Sequence, residues 1–456
     1  MSSKAIAFAK KNETRFLDEL KDLLRIPSVS TLPENKPDIE KAAAFVSTEL
    51  KRIGLEHVEV IPTAGHPLVY ADWLHAADKP TVLIYAHYDV QPAEPLDEWL
   101  SPPFEPTERN QNLYARGAVD DKGQLWMQVK ALESLMAADG KLPVNVRVLF
   151  EGEEEVGGEA VEKFVHEQSA RLKSDVALVC DTELFAPELP TLCVGLRGLV
   201  YTEIEAKGAA TDLHSGVYGG AAPNPLFALC EMIGKMKDSD GRVLVPGFYD
   251  QVDRPTDDEL KAWKSLPFDE EHYRKTEVGS TVLTGEKDYP VLYRTWARPT
   301  LEVHGIPGGF IGAGAKTVIP AKASAKISMR IVPSQDPDDI LEKFTKFVQK
   351  ITPKGIQTNV KVHSQGKAVV VSTDNNFIRA ANKALHEVFH KETVYMRSGG
   401  SIPIVCQFKE DLGIPSVLMG LGLPDDSIHG PNEKFHIPNF YKGIESVVRF
   451  LSLLGE

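Results

Sequence analysis

Apolar residues in the first part of the chain recur first at helical and then at strand spacing. The helical pattern predicts helices over residues 13–25 and from about residue 37 to residue 54. Three stretches rich in β-branched and aromatic residues follow, and they predict strands at 57–61, 67–74 and 81–87.

The next hundred residues alternate helices with nearly continuous apolar strands. We predict a helix over 122–138, a strand over 144–150, a helix over 158–172 and a strand over 175–181. Strands that are apolar along their whole length and separated by helices are typical of a layered α/β domain with a largely parallel sheet.

The pattern changes after the GLRG segment at 195–198. The order of predicted elements becomes βαββαβ, the order of a ferredoxin-like α+β unit, and a polar insertion at about 239–298 interrupts it. The elements are a strand at 199–206, a helix at 224–238, strands at 299–304 and 321–332, a helix at 336–351 and a strand at 357–363.

From about residue 369 the alternation of helices and strands returns. Helices are predicted at 375–389, 402–411 and 438–454, with a strand at 414–420. We therefore predict an α/β domain with a mixed, largely parallel sheet, assembled from both ends of the chain, and a smaller inserted domain. The predicted boundaries are 1–197 and 369–456 for the α/β domain and 198–368 for the insert.

Composition excludes some classes of partner. The chain has 65 acidic and 51 basic residues, a net charge of −14, which disfavours nucleic acid and gives no sign of affinity for an anionic membrane. Its four cysteines form no CxxC pair and are expected to be reduced thiols. The N-terminal apolar stretch is too short for a signal peptide and no stretch approaches the length of a membrane span, so we expect a cytoplasmic protein.

Metal-competent side chains follow four separate apolar strands. Each has an ordinary explanation when taken alone, such as a helix cap or a solvated acid. Together they are expected at the carboxyl edge of one sheet, where open α/β proteins bind ligands. Two histidines and three carboxylates suit two divalent ions, zinc first, then manganese or cobalt. The positions that follow the four strands are His87, the Glu154 and Glu155 pair, Asp181 and His429, and Asp120 opens a helix; one glutamate of the pair is counted as a ligand.

Asp89 and a second glutamate of the acidic run would support this site. Because side chains alternate along a strand, His87 and Asp89 share a face, and the carboxylate can accept the second N–H of a ligand histidine. Adjacent carboxylates project differently, so in the acidic run at 151–155 one glutamate can hold metal while its neighbour faces a substrate.

At this point the sequence resembles the M20 metallopeptidase family, in particular its dipeptidase branch that includes the carnosine dipeptidases. The resemblance implies a di-metal catalytic α/β domain with an inserted lid that mediates dimerisation. The matching motifs are AHYDV at 86–90, ARGAVDDKG at 115–123, EGEEEVGG at 151–158, the strand end at Asp181, DLHSGVYGG at 212–220 and SIHGPNEKF at 427–435.

The resemblance implies a ligand set for two divalent metal ions per subunit. It assigns His87 and Asp181 to one ion, Glu155 and His429 to the other, and Asp120 to both. It also implies a cis peptide bond after the bridging aspartate, between Asp120 and Asp121.

The resemblance further implies catalytic roles. Asp89 would orient His87, and Glu154 would be the general base, with Glu153 as the rival if the register of the acidic run is shifted by one. His214 would reach across a homodimer to stabilise the oxyanion in the partner's site.

The resemblance also implies four substrate contacts. They are Thr317, Arg330, His363 and Ser401. Arg330 lies mid-strand among apolar residues, where an unpaired charge is costly, so it needs an anionic partner. That partner is either a substrate carboxylate, which we favour, or an internal acid.

The expected function is hydrolysis of the amide bond of a dipeptide or short peptide with a free carboxylate, by a metal-bridging water that Glu154 activates. The alternatives within the family are an N-acyl amino acid deacylase and a carboxypeptidase. A more distant alternative is a non-catalytic relative that binds metal or peptide.

Overall fold

The computed structural model describes residues 2–400 and 402–456, and the chain forms two compact units. Unit 1 combines the chain up to Val194 with Val371–Met396 and Ile404–Glu456. Unit 2 combines Gly195–Val370 with the short stretch Arg397–Pro403.

Helices and strands alternate through most of the described chain. The α-helices are α1 (Ser2–Lys11), α2 (Glu13–Leu24), α3 (Lys36–Arg52), α4 (Lys122–Asp139), α5 (Glu159–Glu167), α6 (Ser215–Tyr218), α7 (Pro225–Ile233), α8 (Asp257–Lys264), α9 (Glu270–His272), α10 (Val291–Ala297), α11 (Pro337–Ile351), α12 (Asn376–Phe389), α13 (Pro403–Gln407) and α14 (Ile437–Gly455). The strands are β1 (Glu56–Ile61), β2 (Leu68–Trp73), β3 (Thr81–His87), β4 (Thr107–Arg109), β5 (Asn112–Tyr114), β6 (Asn145–Glu151), β7 (Val176–Val179), β8 (Thr191–Leu196), β9 (Gly198–Lys207), β10 (Leu213–His214), β11 (Thr300–Gly305), β12 (Val318–Ile319), β13 (Lys322–Ile331), β14 (Gln357–Gly366), β15 (Val369–Val370), β16 (Val394–Ser398), β17 (Ser416–Leu418) and β18 (Lys434–His436).

The main sheet of unit 1 is mixed. Its strands run in the order β1-β2-β6-β3-β7-β17-β8, with β16 beside β8. The four central strands β6, β3, β7 and β17 pair in parallel, whereas β1, β2 and β8 pair antiparallel to their neighbours. The predicted α/β class with a mixed sheet is confirmed. The sheet is not largely parallel as predicted, because parallel pairing is confined to its centre and the outer strands pair antiparallel.

Helix α4 is the central helix of unit 1. Every residue from Lys122 to Leu135 is buried, because α1, α2 and α14 pack around it while it rests against β3. A helix buried on all sides needs partners for its polar side chains. For Lys130 of α4, the partners are carboxylates.

A buried ionic cluster joins three helices of unit 1. The Nζ atom of Lys130 on α4 lies 2.5 Å from Glu19 on α2 and 2.9 Å from Glu133, and it also contacts Glu49 on α3. Arg52 lies 2.8 Å from the Glu133 carboxylate. Lys130 is fully buried, and these carboxylates compensate its charge.

Unit 2 contains a four-stranded antiparallel sheet in the order β11-β13-β9-β14. Helices α7 and α11 pack against it, and the chain order is β9-α7-β11-β13-α11-β14. This is the βαββαβ order predicted from the sequence. The predicted polar insertion carries α8, α9 and α10.

Several element bounds differ from the prediction. Helix α5 ends at Glu167 rather than near residue 172, and α7 ends at Ile233, before Gly234. Helix α1 and the small sheet β18-β5-β4 were not predicted; each strand of that sheet is three residues long, too short to show a period. Among the described residues, no helix has the length and apolar content needed to span a membrane.

We predict that Lys130→Ala strongly destabilises unit 1. Removing the buried lysine leaves three carboxylates with the more exposed Arg15 and Arg52 as counter-charges and without their central cation, so the free energy of unfolding should fall by about 3–5 kcal/mol. Urea denaturation measures the change. The exposed Lys163, which pairs with Glu167 at 3.8 Å, provides the control, and Lys163→Ala should change stability by less than about 1 kcal/mol. Equal stabilities of the two variants would contradict the role of the cluster.

Candidate metal and active site

The four parallel strands of unit 1 bring the predicted residues to one edge of the sheet. His87 is the last residue of β3, the acidic run follows β6, and Asp181 comes two residues after β7. His429 lies in the loop after β17. Because the strands are parallel, their carboxyl ends meet at the same edge, which is the ligand-binding edge of open α/β sheets.

Asp120 lies at the centre of the cluster. One carboxylate oxygen is 3.1 Å from Nε2 of His87, and the other is 2.9 Å from Nε2 of His429. Asp181 approaches His87 at 4.0 Å, and Glu155 approaches His429 at 3.2 Å. The side chains therefore form two adjoining triplets that share Asp120, each with ligand atoms within 4.8 Å of one another.

The electrostatics of these residues fit divalent cations. Burial raises the pKa of Asp181 well above its ordinary value, and the carboxylates of Asp121 and Asp120 raise it further. Hydrogen bonds to Asp120 and Glu155 raise the pKa of His429 to about 10. Buried oxygens of Glu155 and Asp121 have no hydrogen-bond partner. Concentrated negative charge with unsatisfied oxygens and imidazole nitrogens is the donor set of a two-cation site.

The loop that carries Asp120 is fixed by a buried glutamate. Glu433 accepts hydrogen bonds from the backbone N–H groups of Gly117 at 2.9 Å, Val119 at 3.0 Å and Asp120 at 3.1 Å. The Arg116 guanidinium lies 2.8 Å from the same carboxylate and balances its charge. Glu433 therefore determines the path of the backbone at Asp120.

The two aspartates of the pair differ in role. The peptide bond Asp120–Asp121 is cis, as predicted. Asp121 precedes α4, but its side chain makes no capping bond, so the ordinary explanation of this aspartate as a helix cap is wrong. Its carboxylate instead accepts the backbone N–H of His87 at 3.2 Å.

Asp89 contacts both sides of the site. It is fully buried, and its carboxylate lies 3.3 Å from Nδ1 of His87. Its two oxygens also accept the backbone N–H groups of Glu154 at 3.2 Å and Glu155 at 3.1 Å. One carboxylate thus orients the histidine and the turn that carries the glutamates.

The acidic run resolves into distinct environments. The Glu153 carboxylate accepts the backbone N–H groups of His66 and Ala160, both at 2.7 Å, and this occupies both of its oxygens. Burial raises the pKa of Glu154 well above its ordinary value, and the nearby carboxylate of Asp181 raises it further. The geometry therefore favours Glu154 over Glu153 as the group available for proton transfer.

Sequence reasoning missed two supporting residues. Glu433 lies inside the SIHGPNEKF motif at 427–435, where an acid within an otherwise matching motif was a usable signal. Gln91 donates to Glu155 Oε2 at 2.7 Å, yet it does not end a strand. No periodicity distinguishes it from a solvated amide.

Two of the candidate lid residues are neighbours within unit 2. His214 ends β10 opposite Val318 of β12, and the backbone N–H of Ser215 donates to the Thr317 carbonyl at 3.0 Å. The His214 side chain is exposed, and its Nδ1 accepts the N–H of Gly216 at 3.0 Å.

The other candidate substrate residues of unit 2 lie on different strands. Arg330 on β13 pairs with Leu199 of β9, and burial lowers its pKa. His363 on β14 is separated from it by β9, and its Nε2 lies 3.1 Å from Glu203. Ser401 lies outside the described residues.

Known proteins are similar to this chain over most of its length. The model of peptidase family M20/M25/M40 matches residues 83–453. The Cys-Gly metallodipeptidase DUG1 of Candida albicans is 33% identical over 97% of this chain and 95% of that protein.

Two solved structures are similar over nearly the whole chain. Human carnosine dipeptidase 1 has a TM-score of 0.87 and 29% identity and covers 100% of both chains. An M20 family metallo-carboxypeptidase from Sulfolobus solfataricus has a TM-score of 0.88 and 33% identity, covering 96% of this chain and 99% of its own.

We predict that Glu433→Gln weakens metal binding. The neutral amide cannot accept all three backbone N–H groups and leaves Arg116 without its carboxylate, so Asp120 should lose its position. Affinity should fall by about 10- to 100-fold, as for other groups that orient ligands. Competition with a chromophoric chelator measures it. Glu445→Gln on α14, which removes a carboxylate paired with Arg449, is the control, and affinities that remain equal in both variants would rule out this role.

Proposed function

The chain belongs to peptidase family M20, and from that premise we propose that it hydrolyses the amide bond of dipeptides or short peptides with a free C-terminal carboxylate. The observation that carries this proposal is the pair of triplets that share Asp120, with Glu154 beside them. Dipeptidase names among the relatives support the substrate class.

Two divalent cations would be held by the predicted side chains. His87 and Asp181 would hold one, Glu155 and His429 the other, and Asp120 both. When bound, the cations would lower the pKa of water and polarise a scissile carbonyl. The mixture of imidazole and carboxylate ligands favours zinc, with manganese or cobalt as alternatives.

Glu154 carries the proton transfers in this proposal. Its carboxylate accepts a proton from the attacking water and then delivers it to the nitrogen of the leaving amine, acting first as base and then as acid. Burial raises its pKa, which suits a group that must hold the proton between the two steps. Asp89 keeps both His87 and the Glu154 turn in position.

The residues of unit 2 would bind the rest of the substrate. Arg330, with Ser401 and Thr317, would hold the carboxylate, and His363 would line the same site. His214 would donate a hydrogen bond to the developing oxyanion in the partner subunit of a homodimer. The exposed position of His214 supports a role outside its own subunit, and sedimentation analysis tests the dimer. A cytoplasmic location is part of the proposal, and cell fractionation tests it.

The alternatives are separated by substrate. We expect a panel of dipeptides to be cleaved at least tenfold more efficiently, in kcat/KM, than the matching N-acetyl amino acids, because a free amine and a carboxylate define the dipeptide class. Longer peptides form the third arm. Preference for N-acetyl amino acids would support a deacylase, and preference for long peptides a carboxypeptidase. Metal binding without any turnover would support the non-catalytic relative.

We predict that Glu154→Gln abolishes most of the turnover while retaining metal. The amide is isosteric but cannot accept a proton, so kcat should fall by about 10²–10⁴-fold. Glu153→Gln provides the matched control, because it changes the neighbouring carboxylate by the same atoms. Metal content and kcat are measured on both variants. A larger loss of kcat in Glu153→Gln than in Glu154→Gln would reverse the assignment.

A further inference from the structure

A second arginine of unit 2 lies beside Arg330. Arg197 comes two residues before Leu199, and Leu199 is the residue that pairs with Arg330 in the sheet. Burial lowers the pKa of Arg197 to about 10, and the nearby charge of Arg330 contributes to the shift. The two guanidinium groups are therefore neighbours within one unit.

Backbone contacts hold the Arg197 side chain in place. Its Nε donates to the Gly399 carbonyl at 3.0 Å, and its Nη1 donates to the Arg298 carbonyl at 3.4 Å. Its own backbone N–H donates to the Gly400 carbonyl at 3.0 Å. A Cβ added to Gly399 would lie 2.8 Å from Nη2, so the guanidinium packs directly on this glycine. The side chain is thus fixed against the stretch that leads to Ser401.

Two guanidinium groups that lie close together repel each other, and an anion that binds both of them offsets this repulsion. The Arg197 guanidinium donates to carbonyl oxygens among the described residues, and these carry only partial negative charge. By contrast Arg298, whose carbonyl it contacts, is paired with Glu286 at 2.6 Å. The nearby charge of Glu302 raises the pKa of Arg197, but burial and the charge of Arg330 outweigh it, so the pKa stays lowered. A bound substrate carboxylate would therefore stabilise the charge of Arg197 further.

We propose that Arg197 is a second cationic anchor for the C-terminal carboxylate of the substrate, acting together with Arg330. The inference rests on the proposed function and adds a residue that determines its specificity. Two planar guanidinium groups match the two oxygens of one carboxylate, whereas an amide offers a single acceptor oxygen and two N–H donors that face the cations unfavourably. The arrangement would therefore select free carboxylates over amides.

The test compares a dipeptide with its C-terminal amide. In Arg197→Met, which keeps much of the length of the side chain and removes its charge, KM for the dipeptide should rise by about 10-fold or more, the effect of losing a charged hydrogen bond. KM for the amide and kcat for both compounds should change by less than about 2-fold. Arg197→Lys, which keeps the charge and loses the planar fork, should be intermediate.

Two further variants separate anchoring from folding. Gly399→Ala keeps the charge of Arg197 but displaces its guanidinium, and it should raise KM for the dipeptide in the same direction. Arg242→Met removes a different arginine of unit 2 and should leave both compounds unchanged. Equal losses for dipeptide and amide in Arg197→Met would mean that Arg197 only braces the chain near Gly399, and the inference would be overturned. An unchanged KM would overturn it as well.

Failure of the proposed function would be seen separately. If the unaltered protein cleaves neither compound, that function is wrong, and the same two compounds can be titrated calorimetrically without turnover. A carboxylate preference that is present in the unaltered protein and lost in Arg197→Met would still support the anchor. Absence of such a preference in the unaltered protein would overturn it.

Discussion

The mutual repulsion of carboxylates at one edge of a sheet is the constraint on which this protein depends. The fold brings Asp120, Asp181, Glu154 and Glu155 together with two histidines, and their shifted pKa values record the cost. Such a cluster persists only if the surrounding structure fixes each member and positive charge compensates it. Buried groups accordingly fix the backbone on each side of the site, with Glu433 holding the Asp120 loop and Asp89 holding the glutamate turn.

The residues that support the site make different contacts from the residues that would bind metal. Glu433 and Asp89 accept mainly backbone N–H groups, so they act on the path of the chain rather than on side-chain rotamers. In the helical layer of unit 1 the arrangement is the opposite, because the ammonium group of Lys130 contacts carboxylates from three helices. Unit 1 therefore buries charge in two ways. The candidate metal site keeps an excess of carboxylates, whereas the cluster around Lys130 neutralises its carboxylates.

The central strands β3, β6 and β7 of the main sheet are predictable from the sequence because they are largely apolar and are followed by polar residues. The same pattern is enough to place His87, Asp181 and the acidic run at one edge of that sheet. It does not place Glu433 and Gln91, because their importance depends on contacts across more than sixty residues of chain. The short strands β4, β5 and β18 escape prediction for a similar reason, since they are stabilised by pairing with each other rather than by a local pattern.

The consecutive residues Glu153, Glu154 and Glu155 lie in one turn and make different contacts. The first binds two backbone amides, the second faces the cluster, and the third approaches His429. The three side chains are chemically identical and differ only in the direction that each takes from the turn. The role of each glutamate therefore depends on its position and not on its acidity. Deleting or inserting a single residue in this turn would hardly change its composition, but it would move every glutamate into its neighbour's position. The turn should therefore tolerate a change of length far less than it tolerates substitution of the exposed residues around it.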